Sequence, residues 1–126
     1  MSQREVAADT LAAIEAHRKA FRMKYWASDY IKPDSDPEQH GVTMCMAGWV
    51  CYVLGYTLLG VSGLAINPDN SDRKWHVSQL AGEALELTFL QAWHLFYETD
   101  EEQALRILDE LADGLGFPNE LIKRAV

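Results

Sequence analysis

The chain has 126 residues, a net charge of −8 and a pI of about 4.8, and hydrophobic residues make up 48% of it. This size suits one domain, and the apolar content excludes a disordered chain. The acidic balance disfavours direct binding to the phosphate backbone of nucleic acids. No secretory signal is visible, and we expect a cytoplasmic protein that does not attach to membranes.

The first half of the chain predicts two helices. Residues 2–5, Ser-Gln-Arg-Glu, form a capping box, and apolar positions at helical spacing extend the first helix to about Tyr25. Residues 27–42 hold two Pro and four acidic residues, which is typical of a surface loop. Thr43 caps a second helix, Met44–Leu59, which is apolar on all sides and therefore buried. This helix is too short for a bilayer, which needs about 20 residues, and its two glycines indicate close approach of another helix.

The second half predicts a further loop and then helices only. Residues 60–75 are rich in Gly, Asn, Asp and Pro, which favours a loop. Three apolar stripes follow at helical spacing: Val77, Leu80, Ala81, Ala84 and Leu85, then Phe89, Ala92, Trp93 and Phe96, then Ala104, Ile107, Leu108 and Leu111. A short tail helix opens at Pro118. The sequence therefore predicts an all-α fold, a compact single-domain bundle (residues 1–126) of four to six helices around the buried helix Met44–Leu59.

Two segments carry a resemblance to a known group of proteins. Residues 43–49 read Thr-Met-Cys-Met-Ala-Gly-Trp, and residues 84–96 read Ala-Leu-Glu-Leu-Thr-Phe-Leu-Gln-Ala-Trp-His-Leu-Phe. They resemble small, uncharacterised proteins of actinobacteria and their phages, which have a Cys-x-Ala-Gly-Trp segment and a C-terminal Leu-rich helical region. The resemblance covers roughly residues 40–112 and departs at His40, where that group has its first Cys. It implies a phage or actinobacterial origin and no particular activity.

The residues that could carry catalysis or bind a metal form no recognisable constellation. The soft ligands are His40, Cys45, Cys51, His76 and His94, and their spacing lacks the tight pairs of zinc sites. The Gly-Val-Ser-Gly segment at residues 60–63 continues with Leu64 and so departs from the nucleophile elbow. Both cysteines lie in the apolar helix, where burial suppresses reactivity. We therefore expect a protein without enzymatic activity that binds no cofactor, and we keep a metal-stabilised domain as an alternative.

Two groups of residues are candidates for binding a partner. The segment 98–113 has seven acidic residues and one basic residue. The candidate carboxylates in it are Glu101, Glu102, Asp109, Glu110 and Asp113, and the candidate aromatic anchors outside it are Trp26, Tyr30 and Trp75. Trp and Tyr are typical interface anchors, and carboxylates steer a basic partner. Solubility is the alternative explanation for the carboxylates, and attachment of loops to the core is the alternative for the aromatics.

The sequence thus predicts a non-enzymatic, protein-binding accessory protein. The resemblance implies that it is phage-encoded and acts on a host or self protein, and a homo-oligomer stays open. A DNA-mimicking inhibitor is one alternative, since the surface is acidic. A helix-turn-helix regulator is another, because Leu80–Phe96 has the rhythm of two short helices, although residues 89–97 contain no Lys or Arg to contact DNA.

Overall fold

The computed structural model describes residues 1–125, with the side chains at positions 71 and 123–125 left aside. The α-helices are α1 (Gln3–Ala16), α2 (Met46–Val53), α3 (Val77–Ala84), α4 (Phe89–Tyr97), α5 (Glu101–Ala112) and α6 (Glu120–Ala125). The strands are β1 (Tyr30–Ile31), β2 (Thr57–Leu59), β3 (Leu64–Asn67) and β4 (Asn70–His76). The chain is therefore a mixed α/β fold, and the all-α prediction is wrong.

The strands form one antiparallel sheet in the order β1-β2-β3-β4. Leu58 of β2 pairs with Ala65 of β3, and Ala65 pairs with Trp75 of β4. Strand β3 and nearly all of β4 occupy the region predicted as a loop, residues 60–75, whereas β1 lies in the predicted loop 27–42 and β2 at the end of the predicted second helix. Strand β4 is an edge strand whose residues, apart from Trp75, are polar, which hides the alternation that identifies a half-buried strand.

The predicted central helix is shorter than expected. The N-cap is Cys45 and not the predicted Thr43, so α2 begins at Met46, and it ends at Val53. Gly55 has a φ of 91°, which breaks the helix and turns the chain toward β2. A Cβ at Gly55 would meet nothing within 4 Å, so the prediction that another helix packs against this glycine is wrong. All six residues from Met46 to Cys51 are nevertheless buried.

The first helix also ends early, at Ala16 instead of Tyr25. A single 3-10 turn, Arg18–Ala20, follows, and the chain then runs extended beside the segment that leads into α2. The N–H of Met44 donates to the Ala20 carbonyl at 2.9 Å, and the indole N–H of Trp49 donates to the same carbonyl at 3.1 Å. Arg22 also donates its backbone N–H to the carbonyl of Met44 at 3.1 Å, and Cys45 donates to that of Tyr25 at 2.9 Å, so residues 20–25 bond to the segment before α2 instead of continuing the helix.

The core lies where α2 meets α1 and α3, and where α1 meets α5. The α5 stripe predicted from its spacing is confirmed: Ala104, Ile107, Leu108 and Leu111 are all buried. Helices α1 and α5 run antiparallel, because Arg4 near the start of α1 donates to the carbonyl of Ala112 at the end of α5 at 3.1 Å. No helix within residues 1–125 is both long and apolar enough to cross a bilayer.

Thr10 offers a test of the α1 packing. Its side chain is fully buried, and its hydroxyl has no hydrogen-bond partner among the described residues. A buried, unpaired polar group costs about 1–3 kcal/mol. We therefore expect Thr10→Val, which keeps the shape and removes the hydroxyl, to raise the free energy of unfolding in urea by about 1 kcal/mol. The control is Thr10→Ala, which also removes a methyl group and should show no gain. A loss in the valine variant would contradict the prediction.

Candidate functional site

Helix α4 carries three stacked aromatic side chains on its outer face. Phe89, Trp93 and Tyr97 follow one another at four-residue spacing and therefore share one side of the helix. Their ring centroids are 6.2 Å and 4.3 Å apart, and the side chains are 77%, 47% and 49% exposed. Leu90 beside them is 61% exposed. We call Phe89, Trp93 and Tyr97 the aromatic ladder.

The inner face of α4 is firmly attached to the fold. Leu95 and Phe96 are buried in the core. Thr88 and Gln91 form a reciprocal capping box at the start of the helix, which satisfies two backbone N–H groups there. The side-chain amide of Gln91 also donates to Asn119 at 2.8 Å. The exposure of the ladder is therefore not a consequence of a loosely held helix.

A groove lies between α3 and the ladder. Its volume is about 420 Å³, which is within the range of about 300–1,000 Å³ typical of ligand pockets. Leu87, Ala92 and Phe96 form its apolar lining together with the ladder. Among the described lining residues, Glu83 is the one charged side chain. Gly82 keeps the two helices close, since a Cβ there would lie 3.3 Å from the Cβ of Ala92.

The ladder continues into the core through edge-on aromatic contacts. The Tyr97 ring meets the edge of Trp26 at 5.3 Å, and Trp26 meets His76 at 4.9 Å. His76 caps α3: its Nδ1 accepts the backbone N–H of Ser78 at 3.1 Å and lies 2.7 Å from the Ser78 hydroxyl. Burial lowers the pKa of His76, so its imidazole is neutral at neutral pH.

The Ser78–His76 pair has the distance of a nucleophile and a base, but not their arrangement. A serine nucleophile needs a base that a third group orients. Here the Nδ1 of His76 already accepts a backbone N–H, and among the described residues the ring packs on Trp26 with no carboxylate bonded to it. The pair is therefore accounted for by helix capping.

The structure separates the aromatic residues that the sequence singled out. Trp26 is half-buried and joins the end of the ladder at Tyr97. Tyr30 is 52% exposed on β1. Trp75 is half-buried on β4, with the guanidinium of Arg73 stacked 3.7 Å from its ring centroid. In the part of the chain that is described, no aromatic contact links Tyr30 or Trp75 to the ladder, so only Trp26 belongs to this face.

The predicted carboxylates lie on another element. Glu102, Asp109 and Asp113 are exposed on α5 or at its C-cap. Glu101 is half-buried, and so is Glu110, whose carboxylate lies 4.0 Å from Arg106. None of the five lines the groove. The structure thus does not unite the predicted acidic and aromatic residues in one site.

The soft ligands stay apart in the same way. Within residues 1–125 no three His, Cys, Asp or Glu side chains come close enough together to hold a metal ion. Cys45 and Cys51 are free thiols in the core. Burial raises the pKa of Cys45 to about 11, and desolvation by burial, with a smaller contribution from the charge of Cys45, raises the pKa of Cys51 further. Thiols held neutral in this way are poor nucleophiles and poor metal ligands.

Sequence reasoning missed the ladder because it assigned the wrong face of α4 to the core. Of the predicted stripe, Phe96 is buried and Ala92 half-buried, whereas Phe89 and Trp93 are exposed. One signal was present: seven of the nine residues of FLQAWHLFY are apolar, more than one face of a surface helix needs. That excess indicates a second apolar face. The helix-turn-helix alternative loses support here, since the outer face of α4 has no cation for DNA.

Comparison with protein-family models, curated proteins and solved structures finds no match to this chain. The functional argument therefore rests on the geometry of the aromatic ladder and the groove.

Proposed function

We propose that this chain is a non-enzymatic protein-binding protein whose docking face is the aromatic ladder and the groove beside it. The occupant is an apolar segment of another protein. The observation that carries the proposal is the stack of three exposed aromatic rings on a helix that is fixed from behind. Large contiguous apolar surface is unfavourable in water, and on soluble proteins it marks interaction sites.

The geometry of the face favours tight docking. Aromatic side chains bring large contact area and few rotatable bonds, so they lose little entropy when a partner orders them, and they are the most common binding hot spots. The capping box and the buried residues Leu95 and Phe96 hold the rings in place before binding. Little reorganisation is then needed on association, which strengthens binding.

The proposal predicts that binding depends on the ladder. We expect the double variant Phe89→Ser and Trp93→Ser to lose affinity for the partner by about 30-fold or more, since hot-spot truncations cost at least about 2 kcal/mol. The matched control is Val61→Ser with Leu115→Ser, which removes side chains of similar exposure, 64% and 73%, outside the groove lining. The wild type, the double variant (called the ladder variant) and the control would each be immobilised. Quantitative mass spectrometry would then compare the proteins that each of the three retains.

Support requires a protein that the wild type and the control retain and the ladder variant releases. Thermal unfolding of the three proteins should agree closely, because exposed side chains contribute little to stability. A partner that binds the ladder variant as tightly as the wild type would overturn the proposal. So would the absence of any protein whose retention depends on the ladder.

A further inference from the structure

We infer that the segment which docks in the groove is a basic amphipathic helix, and that Glu83 selects it by charge. This inference rests on the proposed docking function and names its partner more closely. It follows from the length of the ladder and from the sign of the charge in the groove lining.

The length of the ladder suits a helix. The ladder extends from Phe89 to Tyr97, which is about 12 Å at 1.5 Å per residue. The groove runs between this row and α3, and an amphipathic helix places apolar side chains in such a groove at three- and four-residue spacing. About two turns of a partner helix match the length of the ladder. The edge of the groove then stays free to meet polar residues of that helix.

The charge in the groove lining is negative. Glu83 is exposed on the α3 wall and is the one charged residue of the described lining. Glu98, which follows Tyr97, lies outside the lining, with its carboxylate 3.4 Å from the Nδ1 of His94. The chain as a whole carries a net charge of −8. Lys24 lines the adjoining depression beyond Tyr97 and not the groove itself. A Lys or Arg on the partner would be attracted by Glu83 and by the faces of the ladder rings, whereas a carboxylate would be repelled by both.

Glu83 is available for such a pair. Among the described residues, no ion pair joins its carboxylate to a cation of this chain. Its place in the wall brings it to the rim of a bound helix, where charges decide which partner is accepted and how fast it associates. We therefore assign Glu83 as a specificity-determining residue.

The test uses two fluorescently labelled peptides with the same leucine face, one with lysines and one with glutamates on its polar face. Binding is measured by anisotropy. We expect the wild type to bind the Leu/Lys peptide at least about tenfold more tightly than the Leu/Glu peptide. Glu83→Lys should weaken Leu/Lys binding about fivefold and strengthen Leu/Glu binding, since it exchanges an attraction for a repulsion. The matched control, Glu102→Lys, makes the same change in net charge outside the groove lining.

Each other outcome overturns the inference in a recognisable way. Equal effects of Glu83→Lys and Glu102→Lys would show that only net charge matters. Equal binding of both peptides, lost in the ladder variant, would refute charge selection and leave the proposed function standing. Binding of neither peptide would exclude a basic helix as occupant. A wild-type dimer that the ladder variant dissociates would identify a second copy of this chain as the occupant instead.

Discussion

Replacing Gly48 with alanine should lower the free energy of unfolding by about 1–3 kcal/mol or more, the penalty of overpacking a core. A Cβ at this position would overlap the backbone carbonyl oxygen of Trp26 and lie 3.1 Å from the Cβ of Met44. Backbone atoms cannot swing aside as the end of a flexible side chain can, so α2 or the irregular segment that contains Trp26 must shift. The sequence indicates a close approach of a helix at this glycine, and the structure shows that the approaching backbone is the irregular segment at Trp26 instead.

Urea denaturation would measure the effect of Gly48→Ala. The control is Gly82→Ala on α3, where the new Cβ would lie 3.3 Å from a methyl group of Ala92. Alanine favours a helix over glycine by about 1 kcal/mol, so this control should stay within about 1 kcal/mol of the wild type. An unchanged midpoint for Gly48→Ala would contradict the packing. We also expect Gly48→Ala to weaken docking, because Trp26 supports Tyr97 at the end of the ladder.

Both cysteines should resist thiol reagents while the chain is folded. Burial raises the pKa of Cys45 from 9.0 to about 11, and a rise of two pKa units lowers the thiolate fraction near pH 8 by roughly 100-fold. Cys51 is fully buried, and its pKa is raised further. We expect labelling at pH 8, followed by mass spectrometry, to be at least about 100-fold slower in buffer than in concentrated urea. Rapid labelling of either thiol in buffer would contradict this prediction and support the hypothesis of a reactive cysteine.

The same raised pKa values predict how stability depends on pH. In the unfolded chain the thiols ionise near pH 9, whereas in the folded chain they stay neutral up to about pH 11 for Cys45. The folded state therefore binds more protons in this window, and stability falls as the pH rises through it. Below pH 9 the stabilisation is fully present. The variant Cys45→Ala should show a shallower fall in denaturation experiments between pH 9 and pH 11.

Local signals predicted much of the helical structure. The capping box at Ser2 and the buried stripe of α5 are both confirmed, because each depends on residues within a few positions of one another. The structure adds reciprocal caps at the starts of α4 and α5.

The sheet could not be predicted in the same way. Its strands are two to seven residues long, and the length of the apolar run from Met44 to Leu59 favours one helix although its last residues form β2. The run divides at Gly55, whose positive φ is visible only in the structure. Pairing with distant residues then decides the outcome, as when Leu58 pairs with Ala65. The docking face was missed for a related reason: the side of α4 that turns inward is chosen by the elements packed against it.

The attachment of α1 has a consequence for the order of folding. Its first turn bonds to residues far along the chain: the side chain of Gln3 donates to the carbonyl of Leu85 at 2.9 Å, and Arg4 donates to that of Ala112. Closing such long loops requires entropy to be lost before native contacts compensate for it, which slows folding. During synthesis, α1 therefore leaves the ribosome without the surface on which its apolar face will rest. The part of that face that contacts α5 stays open to chaperones or to premature association until α5 has been translated.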